Sequence, residues 1–152
     1  MQVWEKLVER WYKALALVPQ KSSSWYRHRL REELIERREA KTCHHKLSET
    51  SDVLFSITRA RYDGFPVRSL PFPHSARWVA IYAYMVSKYS LRWTFYRTVA
   101  YMCDARRLEL VCEVVNPARD QKLEEVARRH HIDPEKFRAV ACQLRRAWPL
   151  LT

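Results

Sequence analysis

Apolar residues recur along this chain at helical rather than strand spacing. In residues 2–18, Val3, Trp4, Leu7, Val8, Trp11, Leu15 and Val18 fall on one face, and Pro19 stops the pattern. This predicts a first helix docked on a core. A short polar linker follows over 21–24, with Ser24 as N-cap, and residues 25–41 predict a strongly charged second helix. Its apolar anchors are Trp25, Leu30, Leu34 and Ile35, and Glu33 and Arg37 stand at i,i+4. Arg27, Arg31 and Arg38 share a face, suited either to acids on the next helix or to an anionic ligand.

A third helix is expected over 49–63, capped by Ser48 and closed by Gly64 at C′. The three prolines of 65–75 predict an extended connector, after which Ser75 caps a long helix over 76–103. That helix is apolar nearly all round, the mark of the most buried element, with a break expected near 87–90. Another helix is predicted over 104–115. Asn116-Pro117 then supplies an N-cap and N1 pair for 118–131. The last helix, 134–147, starts at the N-cap Asp133 with Pro134 at N1, and Ile132 and Phe137 stand where a hydrophobic staple needs them.

The sum is an all-α chain: a compact single-domain bundle of five to seven helices around 76–103. Composition agrees, since one glycine in 152 residues leaves few positions for the φ > 0 turns of β architectures. Hydrophobic residues make up 47%, which excludes a mainly disordered chain.

The net charge of +11 raises nucleic acid as a partner. The excess is spread as +4, +1, +3 and +3 over 1–41, 42–75, 76–117 and 118–152, with no basic tail. Cys43, Cys103, Cys112 and Cys142 form no CxxC pair, and no signal peptide or acid-poor presequence is legible. No uncharged apolar run is long enough to span a bilayer. The expectation is an intracellular protein, cytoplasmic or nuclear, with reduced thiols.

Candidate chemistry centres on the third helix. Glu49, Asp52, Ser56, Arg59 and Asp63 are spaced 3, 4, 3 and 4 and so form one polar stripe on an otherwise apolar helix. Glu49, Asp52 and Asp63, with His44 or His45 arriving from the preceding loop, have the chemistry for proton transfer, and Arg59 for holding an anion or developing oxyanion. Ser56 and the aromatic residues Trp78, Tyr82, Trp93 and Tyr96 would line a substrate pocket. This predicts a small enzyme or binding protein for an apolar or aromatic molecule, working by cofactor-independent acid–base chemistry of the isomerase, cyclase or lyase type. The competing reading of the stripe is a salt-bridged seam between helices, for example Asp52 with Arg59 or Arg92. Cys43-His44-His45 lacks metal-ligand spacing, so no metal is expected, and a chain with one glycine cannot build a multi-glycine phosphate loop.

Two further readings remain open. Leu123, Val126, Ala127, Ile132, Phe137 and Leu144 resemble the hydrophobic skeleton of a helix-turn-helix, with His131 at the usual glycine position. That resemblance implies nucleic-acid binding by Arg128, Arg129, Lys136, Arg138, Arg145 and Arg146, with Glu135 and Gln143 near the recognition face. An interaction or assembly subunit would instead expose an apolar patch such as Trp4, Trp11 and Trp25, and form a homo-oligomer or hold a protein partner.

Overall fold

The computed structural model describes residues 3–20, 22–66 and 75–151. Among them are six α-helices, one 3-10 turn and no strand, so the chain is all-α. The helices are α1 (Val3–Leu15), α2 (Ser23–Glu39), α3 (Cys43–Tyr62), α4 (Ala76–Met102), α5 (Asp120–Arg129) and α6 (Pro134–Arg145). Residues 67–74 of the expected connector, and Lys21 of the first linker, lie outside the described residues. The chain divides into two compact units, Met1–Val86 and Ser87–Thr152, with the boundary inside α4.

In the first unit, α2 and α3 pack as an antiparallel hairpin. Tyr26, at the start of α2, donates to Asp63 at the end of α3, while Arg37 near the end of α2 donates to Thr50 Oγ1 at 3.0 Å. The caps differ from those predicted. Ser22, not Ser24, caps α2, its side chain accepting from the Ser24 amide. Thr42 caps α3 through the His45 amide, so α3 starts at Cys43 and its first turn contains the Cys-His-His run. Thr42 lies three residues after α2 ends, so the link between the two helices is short. Gly64, at φ +86, ends α3 as predicted.

The faces of α2 are the larger surprise. Its buried residues are Tyr26 and Glu33, and the C-capping Ala40 is buried too. These three lie seven apart, on the side that meets α3. The expected anchors Trp25, Leu34 and Ile35 are instead 46%, 37% and 46% exposed. Only Leu30 is half-buried among them.

In the second unit, the later turns of α4 contribute Phe95, Tyr96, Val99 and Ala100 to a core closed by Leu123, Val126 and Ala127 of α5 and Phe137 and Ala141 of α6. No break interrupts α4 near 87–90; the helix runs through to Met102. The helix predicted over 104–115 is absent. Asp104 takes φ 57, and Ala105 N bonds the Ala100 carbonyl at 3.0 Å, a reversal that ends α4. The chain then crosses the core in irregular form, broken by the turn Leu108–Leu110, with Val111 fully buried. The valines at 111, 114 and 115 are weak helix formers and do not resist that path. α5 begins at Asp120 rather than after Pro117, because Asn116 Oδ1 bonds the Ala118 amide and holds a turn there.

Candidate functional site

The polar stripe on α3 is turned inward: Glu49, Asp52, Ser56 and Arg59 are buried, and the Asp63 side chain is 1% exposed. Its two ends have different surroundings. At the C-terminal end, Arg59 Nε donates to Asp63 Oδ2 at 2.9 Å and Arg59 Nη2 to the Leu17 carbonyl at 2.9 Å, while Tyr26 donates to the same Asp63 oxygen. The guanidinium lies 5.7 Å from the ring centroids of Tyr12 and Tyr62. Burial, and then the bond to Asp63, pushes the Tyr26 phenol upward, so it stays a neutral donor. Arg59 is thus spent on tying α3 to the chain after α1, and Tyr26 on closing α2 against α3. Tyr12, pushed up by complete burial, adds a bond to Thr58 Oγ1 at 2.7 Å and to the Phe55 carbonyl at 3.0 Å.

The N-terminal end meets acids from α2. One carboxylate oxygen from each of Glu33, Glu36 and Glu49 lies within 4.8 Å of the others. Arg29 pairs with Glu33 Oε1 and, at 3.2 Å, with Glu32. Burial raises the Glu33 pKa to about 7, Arg29 opposes the rise, and Asp52, Glu36 and Glu49 add to it. Glu33 is 1% exposed and its Oε2 has no hydrogen-bond partner. Such a group holds a proton at the edge of neutrality. An all-oxygen donor set suits a hard cation, but the Arg29 guanidinium already balances charge on Glu33. His45, on α3 rather than in a loop, lies 3.3 Å from Glu49, one turn along the helix. His44 turns towards Tyr84 Oη, at 3.5 Å.

The residues expected to wall a pocket fall in different units. Tyr82 is buried in the first, with Trp4 edge-on at 4.6 Å between centroids, and Trp78 is half-buried. Tyr96 belongs to the core of the second, its ring 6.4 Å from that of Phe137 and its hydroxyl buried without a hydrogen-bond partner. Trp93 carries Arg97 over its ring at 4.6 Å. A depression of about 120 Å³ is lined by Glu5, Val8, Glu9, Tyr12, Thr58, Arg61 and Tyr62, none of them on the stripe. It is smaller than the ~300 Å³ at which small-molecule pockets begin.

The C-terminal helices α5 and α6 pack on each other across the turn at His131. Leu123, Val126, Ala127, Ile132 and Phe137 are all buried, and Leu144 is packed against the same core. His131 has φ 55, so it supplies the left-handed turn residue that glycine usually provides. Asp133 accepts from the Lys136 amide at 2.6 Å and caps α6. Of the six predicted basic residues, Arg145 serves structure: it donates to the Ala118 carbonyl at 2.9 Å and to Asp120 at 2.7 Å. Arg129 and His130 both hold buried Glu113, at 3.0 and 2.8 Å. Arg128 and Arg138 share Glu124, Lys136 reaches Asp104 at 2.9 Å, and Arg146 makes no ion pair among the described residues.

Sequence reasoning missed Tyr26 as the partner of Asp63, and Glu33 as the acid of α2 that lies beside Glu49. The signal available was the seven-residue spacing of Tyr26, Glu33 and Ala40, which marks one face of α2. It was masked by more hydrophobic residues on other faces. No helix of the described residues is long and apolar enough to cross a membrane. Compared with known families, curated proteins and solved structures, the chain matches none of them.

Proposed function

We propose that the chain binds nucleic acid through α5, the turn at His131 and α6. The observation that carries this reading is the division of α6. Phe137 and Ala141 are buried, and Val140 and Leu144 pack against the core. Glu135, Lys136, Arg138, Ala139, Gln143 and Arg146 are exposed. Arginine, lysine and glutamine offer the donors and acceptors that read base edges, and an alanine among them permits close approach. The ion pairs holding Arg128, Arg138 and Lys136 are exposed, and exposed pairs contribute only about 1 kcal/mol or less, so phosphates can displace the acids. Arg145 is assigned to the fold and left out of the binding set.

The test is fluorescence anisotropy with duplex DNA of mixed sequence. Binding should weaken roughly a hundredfold between about 50 and 200 mM salt if about four phosphates are contacted. Lys136→Ala should flatten that slope by about one. Full affinity in an Arg138→Ala, Gln143→Ala, Arg146→Ala triple variant would remove the proposal.

A second reading keeps acid–base chemistry at the α2/α3 carboxylates. It is supported by Glu33, whose near-neutral pKa is the property a general acid needs. Thermal stabilisation by an apolar small molecule, lost in Glu33→Gln and Asp52→Asn, would favour it. The same stabilisation in both variants would discard it.

A further inference from the structure

We infer that the outer face of α2 is a docking site for an acidic amphipathic helix of a partner protein. Arg27, Arg31, Leu34 and Arg38 are spaced 4, 3 and 4 and form one stripe, with Leu30 and Ile35 on either side. These six residues line a shallow depression of about 340 Å³. The stripe spans twelve residues of helix, about 16 Å from first to last.

The other basic groups of α2 have partners within the chain. His28 and Arg29 pair with Glu32, Arg29 also with Glu33, and Arg37 bonds Thr50. Arg27, Arg31 and Arg38 make no ion pair or hydrogen bond among the described residues. The acids Glu32, Glu36 and Glu39 follow one another at i+4 and i+3 along a different flank, so the charge of the helix is segregated.

Charge complementarity fixes the occupant. Three guanidiniums along about three turns match carboxylates repeated at the same helical interval, and guanidinium and carboxylate pair in planar, bidentate fashion. Leu30, Leu34 and Ile35 between them call for apolar side chains in register with those acids, which is the helix-in-groove mode of recognition. A phosphate backbone has no use for the aliphatic floor. A bilayer-surface helix would need a broad apolar face, whereas α2 is only weakly amphipathic. Leucine and isoleucine left outward on a helix that buries a glutamate are explained by a partner that covers them.

The probe is a helical peptide of about 17 residues, with glutamates along one seam and leucines along the next, titrated into the full chain by calorimetry. Binding is expected on the order of 10–100 µM, as for a small, partly polar interface. Arg31→Ala and Leu34→Ser should each weaken it about fivefold, the scale of one exposed ion pair or one small apolar contact. The triple reversal Arg27→Glu, Arg31→Glu, Arg38→Glu should abolish it with an unchanged circular dichroism spectrum, and Arg106→Ala with Arg107→Ala, exposed bases elsewhere, should change nothing. Equal binding of a glutamine-for-glutamate peptide would overturn the inference. So would loss of binding in the Arg106/Arg107 variant, or binding by phosphatidylglycerol vesicles or duplex DNA through the three arginines while the peptide stays unbound.

Discussion

Helices α2 and α6 are similar in kind, each short, charged and capped by a side chain, yet they bury opposite halves of themselves. α6 turns Phe137 and Ala141 inward and its charges outward. α2 turns Tyr26 and Glu33 inward and leaves Leu34, Ile35 and Trp25 in solvent. The difference lies in what each meets. α6 meets an apolar core made by α4 and α5. α2 meets α3, whose facing stripe is polar: Tyr26 donates to Asp63 across the seam, and Glu33 is buried beside Glu49 with Arg29 of its own helix as counter-charge. A helix's buried face is therefore set by its neighbour as much as by its own hydrophobicity.

The largest expected effect lies on the α6 side. Phe137→Ala removes a fully buried ring from the second unit's core and should cost about 3–5 kcal/mol in denaturant unfolding. Leu34→Ala, the corresponding truncation of the large apolar residue in α2, should change stability by less than about 0.5 kcal/mol. A large loss at Leu34 would erase the contrast between the two helices.

The next effect concerns pH. An unfolded glutamate titrates near 4.5, and burial raises folded Glu33 to about 7. Between those values the folded state holds a proton that the unfolded state has lost, so the parent's stability falls as pH rises through this window and is level above it. Glu33→Gln cannot lose that proton. Its stability relative to the parent should grow by about 2–3 kcal/mol from pH 4.5 to 7.5. Thermal melts across that range measure it, and a constant difference would mean that Glu33 titrates as an exposed carboxyl.

The smallest effect sharpens the reading of the turn. His131 sits at φ 55, where a side chain costs about 1 kcal/mol relative to glycine. His131→Gly should therefore stabilise the second unit by somewhat less than that, since a glycine also frees the unfolded chain. A loss would mean that the imidazole makes a stabilising contact of its own.

Much of the α6 region was legible because its signals are local: Asp133 caps, Pro134 starts, and Ile132 and Phe137, both buried, hold the staple positions, all within six residues. The all-α class was legible from spacing and the single glycine, and the polar stripe on α3 from its 3, 4, 3, 4 interval. What opposed the stripe was not. Glu33 is one of four glutamates on α2, and nothing within that helix says that it, rather than Glu32 or Glu36, faces inward. The start of α3 was misplaced because two good caps, Thr42 and Ser48, lie six residues apart, and only packing against α2 selects the earlier. The helix expected over 104–115 failed because the reversal at Asp104 and the burial of Val111 are tertiary outcomes.

The most direct test of the inverted packing of α2 is a carboxyl ¹³C NMR titration of the glutamates, with Glu33 assigned by comparison with Glu33→Gln. Inverted packing of α2 predicts a Glu33 midpoint near 7 that vanishes in the variant. A Glu33 midpoint near 4.5 would place that side chain in water and contradict it.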